Sequence, residues 1–489
     1  MLRLALYVPI SAFPIDSDGV LAGLCAFALR AGRHTAFFPG GYRLGSASCY
    51  VTAAFFALGG RSRAALAATG LTWGALYLAA SVALARAALG ARAACIALIF
   101  VALPAAAFLT VTYVPWGYGE IAASCAATLL LAIVWRRGFS PWIAVAFGLS
   151  AGLGAWMSLQ TAMVTVPAIV WTIAYRRPNV ARELIPALLA ACVGASPWLI
   201  ANLGGGFPTF AHNWVAVPVT GGAALWSNAT WFAGSTLAQL FVYGGAPSTW
   251  IPLCGGVALA LGAFVLSLRR NEAPSAGALH PRELAWLFGG MIAMAFLLDV
   301  PSTAGSVRGW TVRYAAPLYA GVPLAFGLGI DWLWRGGRRV LAALAVALLV
   351  LPNLTLYALP GTAAREVLRA QLRDDSALRA FLAAHHIDLA YGDYFDVYHL
   401  NFDAHGVTVA VPTNAALDYL DYGPALQRRP VSWAAIVPRG TAPPPWLVRS
   451  GVSVTAYDVG GMRAFVASRR AGDAAALLAS LRQAAQNTP

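Results

Sequence analysis

The sequence predicts a polytopic α-helical membrane protein of about 11 transmembrane helices, with outer-surface helices and a small C-terminal α/β domain. Hydrophobic residues make up 59% of the 489-residue chain and charged residues only 11%, whereas soluble domains carry about 25% charged residues. A single buried core cannot hold so much apolar surface, so lipid is the solvent of most of the chain. Acidic residues are rare before residue 360 and common after it, which separates the two domains.

The predicted spans are apolar stretches close to the roughly 20 residues that a helix needs to cross a bilayer. The first is the shortest and would extend only about 21 Å. A further apolar segment, 46–59, is too short to span comfortably, and we interpret it as a helix on the outer surface. The spans are 2–15, 64–85, 93–114, 120–135, 141–156, 159–175, 184–201, 250–268, 284–299, 314–333 and 340–358.

Arginine clusters predict the orientation of these spans, because cytoplasmic loops carry the excess of positive charge. Placing the clusters in the cytoplasm puts the N-terminus inside and the loop 16–63 outside. An odd number of spans then puts the C-terminal domain outside as well, in the periplasm of a bacterial inner membrane. The clusters are Arg86/Arg92, Arg136/Arg137, Arg176/Arg177/Arg182, Arg269/Arg270/Arg282 and Arg335/Arg338/Arg339.

Composition excludes several classes of function. The net charge of +14 does not indicate nucleic acid as a partner, because the arginines lie between apolar runs and not on one basic face. The sequence contains no lysine, which excludes Schiff-base and Walker-type lysine mechanisms. The six cysteines form no CxxC pair, and no metal site is predicted. Cys25 and Cys49 fall in the first outer loop, where the sequence is compatible with a disulfide and with two free thiols.

The chain therefore divides into a transmembrane domain at 1–360, which includes the first outer loop at 16–63, and a periplasmic α/β domain at 361–489. The second domain begins with a charged helical segment at 365–385 and closes with a helical segment at 472–485. Between them lie short β-type runs separated by Gly/Pro turns. These runs are 387–394, 406–412, 432–438 and 452–459.

Acidic residues on the outer side are the most informative feature, because charge at membrane depth is costly and needs a reason. Four acids fall on that side, whereas the other acids of the first domain lie beside cytoplasmic arginines and are predicted to be structural partners. The outer acids are Asp16, Asp18, Glu120 and Asp299. The cytoplasmic acids are Glu183, Glu272, Glu283 and Asp331.

Each outer acid has a functional and a structural interpretation. Asp16 and Asp18 could supply a general base for an acceptor hydroxyl or share a divalent cation, and Asp18 is also suited to cap the helix that follows it. Glu120 is either a second acid of the same site or a first-turn acid favoured by the helix dipole. On the same side, Arg308 and Arg313 are suited to bind a lipid phosphate, and head-group contact or pairing with an acid is the alternative.

Several stretches resemble membrane glycosyltransferases of the C-type fold, the family-39-like superfamily of protein mannosyltransferases and aminoarabinose transferases. The first loop carries an acidic pair, then AGRHTAFFPG, a Tyr-Arg-Leu-Gly turn and an apolar helix ending in ALGG. GLGAWMSLQTAMVTVPAIVW resembles the fifth and sixth spans, and VRYAAPLY resembles the Arg-Tyr segment before a late span. YGDYFDVYHLNF resembles a tail motif of the family.

The resemblance implies an enzyme that takes a sugar from a polyprenyl phosphate and passes it, with inversion, to a glycan, lipid or protein acceptor on the outer face. Asp18 or Asp16 would be the base, with Glu120 as the second acid. Arg313 and Arg308 would meet the lipid phosphate, and no cofactor is implied beyond an optional divalent cation. The further substrate-binding candidates in these motifs are Tyr42, Arg43, Tyr118 and Tyr314.

Two rival functions remain open from the sequence. A lipid-linked-sugar flippase or another transporter would place polar groups near the bilayer midplane, where these spans carry almost no ionisable residue. A non-catalytic scaffold for envelope assembly would use the C-terminal domain to bind a partner and would not need Asp18.

Overall fold

The computed structural model describes thirteen stretches of the chain. The chain divides into a first unit of 1–7, 34–51 and 67–359 and a second unit of 8–33, 52–66 and 360–489. The predicted first span, at 2–15, and the predicted closing helix, at 472–485, lie outside the described residues. Those residues are 17–38, 44–113, 117–138, 140–176, 179–211, 219–241, 247–269, 278–302, 312–358, 363–403, 408–412, 432–449 and 453–467.

Helices make up most of the described chain. In chain order up to residue 358 they are α1 (Leu21–Arg30), α2 (Ala47–Gly59), α3 (Arg63–Ala88), α4 (Ala91–Ala102), α5 (Ala106–Tyr113), α6 (Tyr118–Arg137), α7 (Pro141–Met157), α8 (Ala162–Arg176), α9 (Ile185–Gly194), α10 (Ser196–Gly204), α11 (Pro208–Ala211), α12 (Gly222–Trp231), α13 (Leu237–Gln239), α14 (Pro247–Ser267), α15 (Pro281–Asp299), α16 (Val312–Ala315), α17 (Val322–Arg335) and α18 (Arg339–Ala358). Short 3₁₀ and π turns at Leu159–Thr161, Val180–Leu184, Phe232–Thr236 and Ala316–Ala320 join some of them.

Within the described residues, three helices are long and apolar enough to cross a membrane, namely α3, α6 and α15, and two bent helix pairs raise the number to five. Each predicted span after the first coincides with one helix or with two in succession. The bends are 65° before α10 and 50° before α17, and each of these helices has a proline in its first turn, where proline starts a new helix readily. The chain is a polytopic helical membrane protein, and its count of eleven spans stays a prediction.

Small residues let α7 and α9 approach closely. A Cβ built on Gly148 would lie 1.9 Å from the Ala187 carbonyl oxygen, and one built on Gly152 would lie 2.0 Å from that of Ala191. The two glycines are four residues apart, the GxxxG spacing that brings membrane helices into backbone contact. The pair is therefore held by shape and not by polar groups.

Arginine-bearing helix ends gather at one end of the first unit, which we call the arginine-rich end. Arg136 at the end of α6 pairs with Glu283 at the start of α15. Arg92 of α4 and Arg335 of α17 both pair with Asp331. Glu283 and Asp331 are thus partners of arginines, as the sequence predicts.

Other contacts join the same end. The Trp135 indole donates to Glu183 at 2.6 Å, and the Leu279 amide donates to the Ala88 carbonyl at 2.9 Å. Glu183 also accepts a hydrogen bond from the Asn179 amide at 3.2 Å and is therefore a structural acid. Glu272 lies outside the described residues.

The second unit contains a five-stranded sheet in the order β2-β1-β3-β5-β4. Strand β1 pairs in parallel with β2 and β3, and β5 pairs antiparallel with β3 and β4. Leu378 and Leu382 of α19 pack on one face of the sheet with Ile436. The elements are α19 (Ala363–Ala384), β1 (Leu389–Gly392), α20 (Tyr394–Val397), α21 (Leu400–Asp403), β2 (Val409–Pro412), β3 (Trp433–Pro438), α22 (Pro445–Arg449), β4 (Val454–Val459) and β5 (Met462–Ala467).

Candidate active site

Glu120 is enclosed by protein at the start of α6, with 0% of its surface exposed. Its Oε2 accepts a hydrogen bond from the Ser48 hydroxyl, and the Ser48 oxygen accepts one from the Trp73 indole at 3.0 Å. Oε1 is buried and accepts no hydrogen bond from the residues that the structure describes. Burying a carboxyl group without full hydrogen bonding is costly, and the part of Glu120 in a site stays a prediction.

Two glycines allow the backbone to place Glu120 there. Gly117 caps α6 with a φ of 92°, a left-handed conformation that glycine adopts without strain. A Cβ on Gly119 would lie 2.9 Å from the Thr112 carbonyl oxygen, so only glycine fits at this close approach. The predicted site residue Tyr118 lies between them and is buried at 3% exposure.

Glu120 lies at the opposite end of the first unit from the arginines. Helix α6 runs from Tyr118 to Arg137, and its 20 residues extend about 30 Å. Asp299 likewise ends α15, whose first turn carries Glu283. The acids and the arginine clusters therefore separate to the two ends of the helices, as the sequence predicts for Glu120 and Asp299.

Arg313 and Tyr314 follow one another in α16. The Arg313 guanidinium donates to the Tyr314 hydroxyl at 3.0 Å and lies 4.9 Å from the centre of its ring. Tyr314 is buried and Arg313 is partly exposed. The tyrosine thus orients a cation that keeps contact with the surroundings, an arrangement suited to an anionic group.

A narrow, partly open cavity with mostly apolar lining residues lies in the first unit beyond the last residue of α4. Since α4 begins at the arginine-rich end, this cavity lies toward the other end, where Glu120 is found. The cavity is too narrow to enclose a ligand, so it marks an apolar surface and not a binding pocket. The lining includes Phe100, Leu103, Phe241, Tyr319, Phe326 and Asn353.

Asp18 lies in the second unit, just before α1, and is half-buried. Its Oδ1 accepts a hydrogen bond from the Tyr394 hydroxyl at 2.9 Å, and its Oδ2 accepts none from the described residues. Helix α1 has Val20 as its N-cap and no side-chain cap bond. The interpretation of Asp18 as a helix cap is therefore wrong, because its carboxylate points to a tyrosine instead of to the helix amides.

Residues 391–402, which we call the tail motif, pack against α1 within the second unit. The Ser17 hydroxyl donates to the Tyr394 carbonyl at 2.6 Å. The Phe402 ring stacks on Phe27 at 5.5 Å, and a Cβ on Gly23 would lie 2.5 Å from that ring. The glycine is needed because the aromatic ring occupies the space of a side chain.

A half-buried ion-pair group joins the start of α3 to Asp403, the residue that follows the tail motif. Arg63 donates two hydrogen bonds to the Asp403 carboxylate, one of them at 2.9 Å. Asp375 lies 3.9 Å from Arg63 and 3.4 Å from His399 Nε2. Bidentate pairing fixes geometry as well as energy, so this group holds the tail motif in register with the first loop.

Burial raises the pKa of Asp396 in the tail motif, and repulsion from the Asp393 carboxylate raises it further, while His399 opposes the shift. The group is therefore less readily ionised than an ordinary carboxyl. The free-energy cost of this buried carboxyl falls on the tail motif, whose Tyr394 contacts Asp18. Carboxyl groups with a perturbed pKa are common in functional segments.

The structure distributes the predicted site residues over its two units. Tyr118, Glu120, Arg313 and Tyr314 belong to the first unit and Asp18 to the second. Their convergence on one substrate stays a prediction. Four further candidates, Asp16, Tyr42, Arg43 and Arg308, lie outside the described residues.

Three polar side chains of the site escaped the sequence interpretation. Ser48 and Trp73 gave no signal, because a lone serine and a lone tryptophan in apolar helices are ordinary residues. Tyr394 stood in a stretch dense in Tyr and Asp, and that density was a signal that a polar contact could form there.

Across the described ranges, no group of three or more His, Cys, Asp or Glu side chains could hold a metal ion. Cys25 and Cys49 are disulfide-bonded, which resolves the alternative that the sequence left open. The free cysteines are Cys95, Cys125, Cys192 and Cys254.

Comparison with known proteins identifies the fold. No family model and no curated protein matches the sequence. The crystal structure of ArnT from Cupriavidus metallidurans bound to undecaprenyl phosphate aligns with a TM-score of 0.66 and 15% identity, covering 95% of this chain and 96% of that one. ArnT in the apo state aligns with a TM-score of 0.66 and 14% identity over 98% and 97%.

A third solved structure, the apo oligosaccharyltransferase of Archaeoglobus fulgidus, has a TM-score of 0.47, 12% identity and coverage of 89% and 69%. The ArnT alignments run along nearly the whole of both chains. The chain therefore has the C-type glycosyltransferase fold of ArnT, and the resemblance noted in the sequence is confirmed at the level of the fold.

Proposed function

We propose that this protein is an inverting membrane glycosyltransferase that moves a sugar from a polyprenyl-phosphate carrier to an envelope acceptor on the outer face of the bacterial inner membrane. The observation that carries the proposal is the ArnT fold along 95% of the chain, seen in a crystal structure that contains undecaprenyl phosphate. Because one fold can host several chemistries, the site residues must carry the rest of the argument.

The difference in charge between the two ends of the first unit supports a reaction on the outer face. Arginines and their acidic partners lie at one end, which suits the cytoplasmic side, and Glu120 lies at the other. The disulfide-bonded state of Cys25 and of Cys49 also favours an oxidising compartment such as the periplasm for the first loop. Both features support a periplasmic position for the acids.

The chemistry needs three functions, and the chain offers a group for each. Asp18 is the candidate base that takes the proton of the acceptor hydroxyl as this hydroxyl attacks the sugar. Arg313 is the candidate for the departing phosphate, whose charge grows as the sugar leaves. Glu120, at the same end as Arg313, is the second acid and orients the acceptor or the sugar.

The carrier lipid also needs an apolar surface. The narrow cavity beyond α4 has mostly apolar lining residues, with Asn353 and Tyr319 as its polar members, and it lies toward the end that holds Glu120. We propose that part of the polyprenyl chain lies against these apolar residues, with its phosphate at Arg313.

The test is a sugar-transfer assay with the full-length protein in proteoliposomes, using a panel of undecaprenyl-phosphate sugars as donors. We expect Asp18→Asn and Glu120→Gln each to lose roughly a hundredfold or more in kcat, since a positioned general base contributes about 10²–10⁴. Arg313→Ala should raise the KM for the lipid donor as well.

Asp458→Asn is the matched control. Asp458 is an exposed carboxylate of β4 that pairs with Arg463 at 2.6 Å, so its loss should leave the rate unchanged. Full activity of Asp18→Asn and Asp16→Asn alike would eliminate the proposed base. Protein-dependent flipping of the lipid without sugar transfer would favour the transporter instead.

A further inference from the structure

The Tyr394 hydroxyl donates a hydrogen bond to the Asp18 carboxylate, although the two residues are 376 positions apart in the sequence. Both residues belong to the second unit. Asp18 is the only acid of the first loop that the described residues include, and the tyrosine is its only hydrogen-bond donor among them. The C-terminal segment therefore provides the contact that fixes the direction of this carboxylate.

Several contacts fix Tyr394 itself. It begins α20 directly after β1 and is only 3% exposed. Its ring packs against Tyr398 at 5.0 Å between centres, and its carbonyl accepts from Ser17. The hydroxyl is thus presented from a buried ring that packs against a second aromatic ring.

The far end of the tail motif is tied down as well. The Asn401 side chain donates to the Ala410 carbonyl and accepts from the Ala410 amide, both at 2.8 Å. This pair joins α21 to the edge strand β2. A residue held from both sides in this way can orient its hydrogen-bond partner with little loss of entropy when substrate binds.

We infer that Tyr394 is a positioning residue of the transfer reaction, which holds Asp18 by its Oδ1 and leaves Oδ2 directed to the acceptor hydroxyl. The inference rests on the proposed function and deepens it, because it selects Asp18 over Asp16 as the base. It also gives the C-terminal domain a part in the chemistry through a single hydrogen bond.

A hydrogen bond to one carboxylate oxygen restricts the rotation of the group. Without it, Asp18 samples orientations in which neither oxygen faces the acceptor, and the fraction of productive complexes falls. Binding of the lipid donor does not need the base, so the effect belongs to kcat and not to KM. A merely structural contact would instead lower the amount of folded protein.

The experiment compares Tyr394→Phe with Ser17→Ala in the full-length protein, in the proteoliposome transfer assay. Tyr394→Phe removes only the oxygen that meets Asp18. Ser17→Ala removes a hydrogen bond of the same segment pair, but its acceptor is the main chain of Tyr394. Both variants are therefore expected to lower the melting temperature slightly and by similar amounts.

We expect Tyr394→Phe to lower kcat about ten- to hundredfold, as loss of a hydrogen bond to a charged group does, with the KM for the lipid donor changed less than about twofold. Ser17→Ala should keep kcat within about twofold. As a second variant, Asp18→Glu moves the carboxylate past the tyrosine hydroxyl and should lose a similar factor in kcat, with the same slight fall in melting temperature as Tyr394→Phe.

The results separate the two proposals. If the wild-type protein transfers no sugar from any donor of the panel, the proposed function fails. If the wild type transfers sugar and Asp18→Asn is fully active, the function stands, and Asp18 as the base and Tyr394 as its positioning residue are both overturned. If Asp18→Asn is inactive while Tyr394→Phe and Asp18→Glu turn over at the wild-type rate, only the positioning role is overturned. It is overturned too if Ser17→Ala lowers kcat per folded molecule as much as Tyr394→Phe does, because the contact is then structural.

Discussion

Asp396 makes the stability of the second unit depend on pH at the scale of a single residue. Its pKa is raised, chiefly by burial and then by Asp393. When a carboxyl has a higher pKa folded than unfolded, the folded state binds more protons between the two values. The contribution of Asp396 to stability is then most favourable below the ordinary carboxyl pKa of about 3.9. This contribution falls as the pH rises through the raised pKa.

We therefore expect Asp396→Asn to raise the melting temperature of the purified protein at pH 7 and to leave it unchanged near pH 3.5. Thermal unfolding followed in detergent at both pH values measures the difference. Asp458→Asn should act in the opposite direction, because hydrogen bonding to Arg463 lowers the pKa of Asp458. An equal shift at both pH values in Asp396→Asn would contradict the assignment.

The sequence could predict individual site residues only in the region where charged residues are rare. Asp18 and Glu120 stand out because few acids precede residue 360. Local sequence could not assign the partner of Asp18, since Tyr394 is 376 residues away. The sequence offered a helix cap as one of two interpretations of Asp18, and the carboxylate instead contacts the Tyr394 hydroxyl.

At the scale of elements, the contact between α7 and α9 depends on the absence of side chains at two positions. A methyl group at Gly148 or Gly152 would enter a backbone carbonyl of α9. Overpacking of a close contact typically costs about 1–3 kcal/mol. Gly148→Ala should therefore lower the melting temperature, and Gly148→Leu should lower it further.

Gly262→Ala is the control for this contact. Gly262 lies inside α14, and a Cβ there would meet nothing within 4 Å. Alanine favours a helix by about 1 kcal/mol over glycine, so this variant should be neutral or slightly stabilising. If Gly148→Ala melted like Gly262→Ala, the two helices would have room to separate, and the close contact would not stabilise the fold.

Most elements followed from periodicity and hydropathy. The helix at 365–385 and the runs at 387–394, 406–412, 432–438 and 452–459 correspond to α19 and β1 to β4. The fifth strand, Met462–Ala467, was not predicted. Its signal was present, since Gly460 and Gly461 form the two-residue turn that joins antiparallel strands.

The bends before α10 and α17 could not be predicted from periodicity and hydropathy. A hydropathy window counts α9 and α10 as one apolar run, and a proline near the middle of such a run can kink a helix or start a new one. Packing of the surrounding helices decides between these outcomes. For this reason composition alone predicts the number of spans only approximately.

At the scale of the whole molecule, the segregation of charge predicts sidedness. The arginine-rich end of the first unit should face the cytoplasm and the second unit the periplasm. We expect a membrane-impermeant maleimide to label Thr441→Cys, in an exposed turn after β3, in intact spheroplasts, in a background where the four free cysteines are serine. Arg338→Cys, just beyond α17, should be labelled only after permeabilisation. The two variants should react equally in detergent, which controls for accessibility. Labelling of Arg338→Cys in intact spheroplasts would invert the topology and would move Glu120 to the cytoplasmic side, where a periplasmic transfer reaction could not use it.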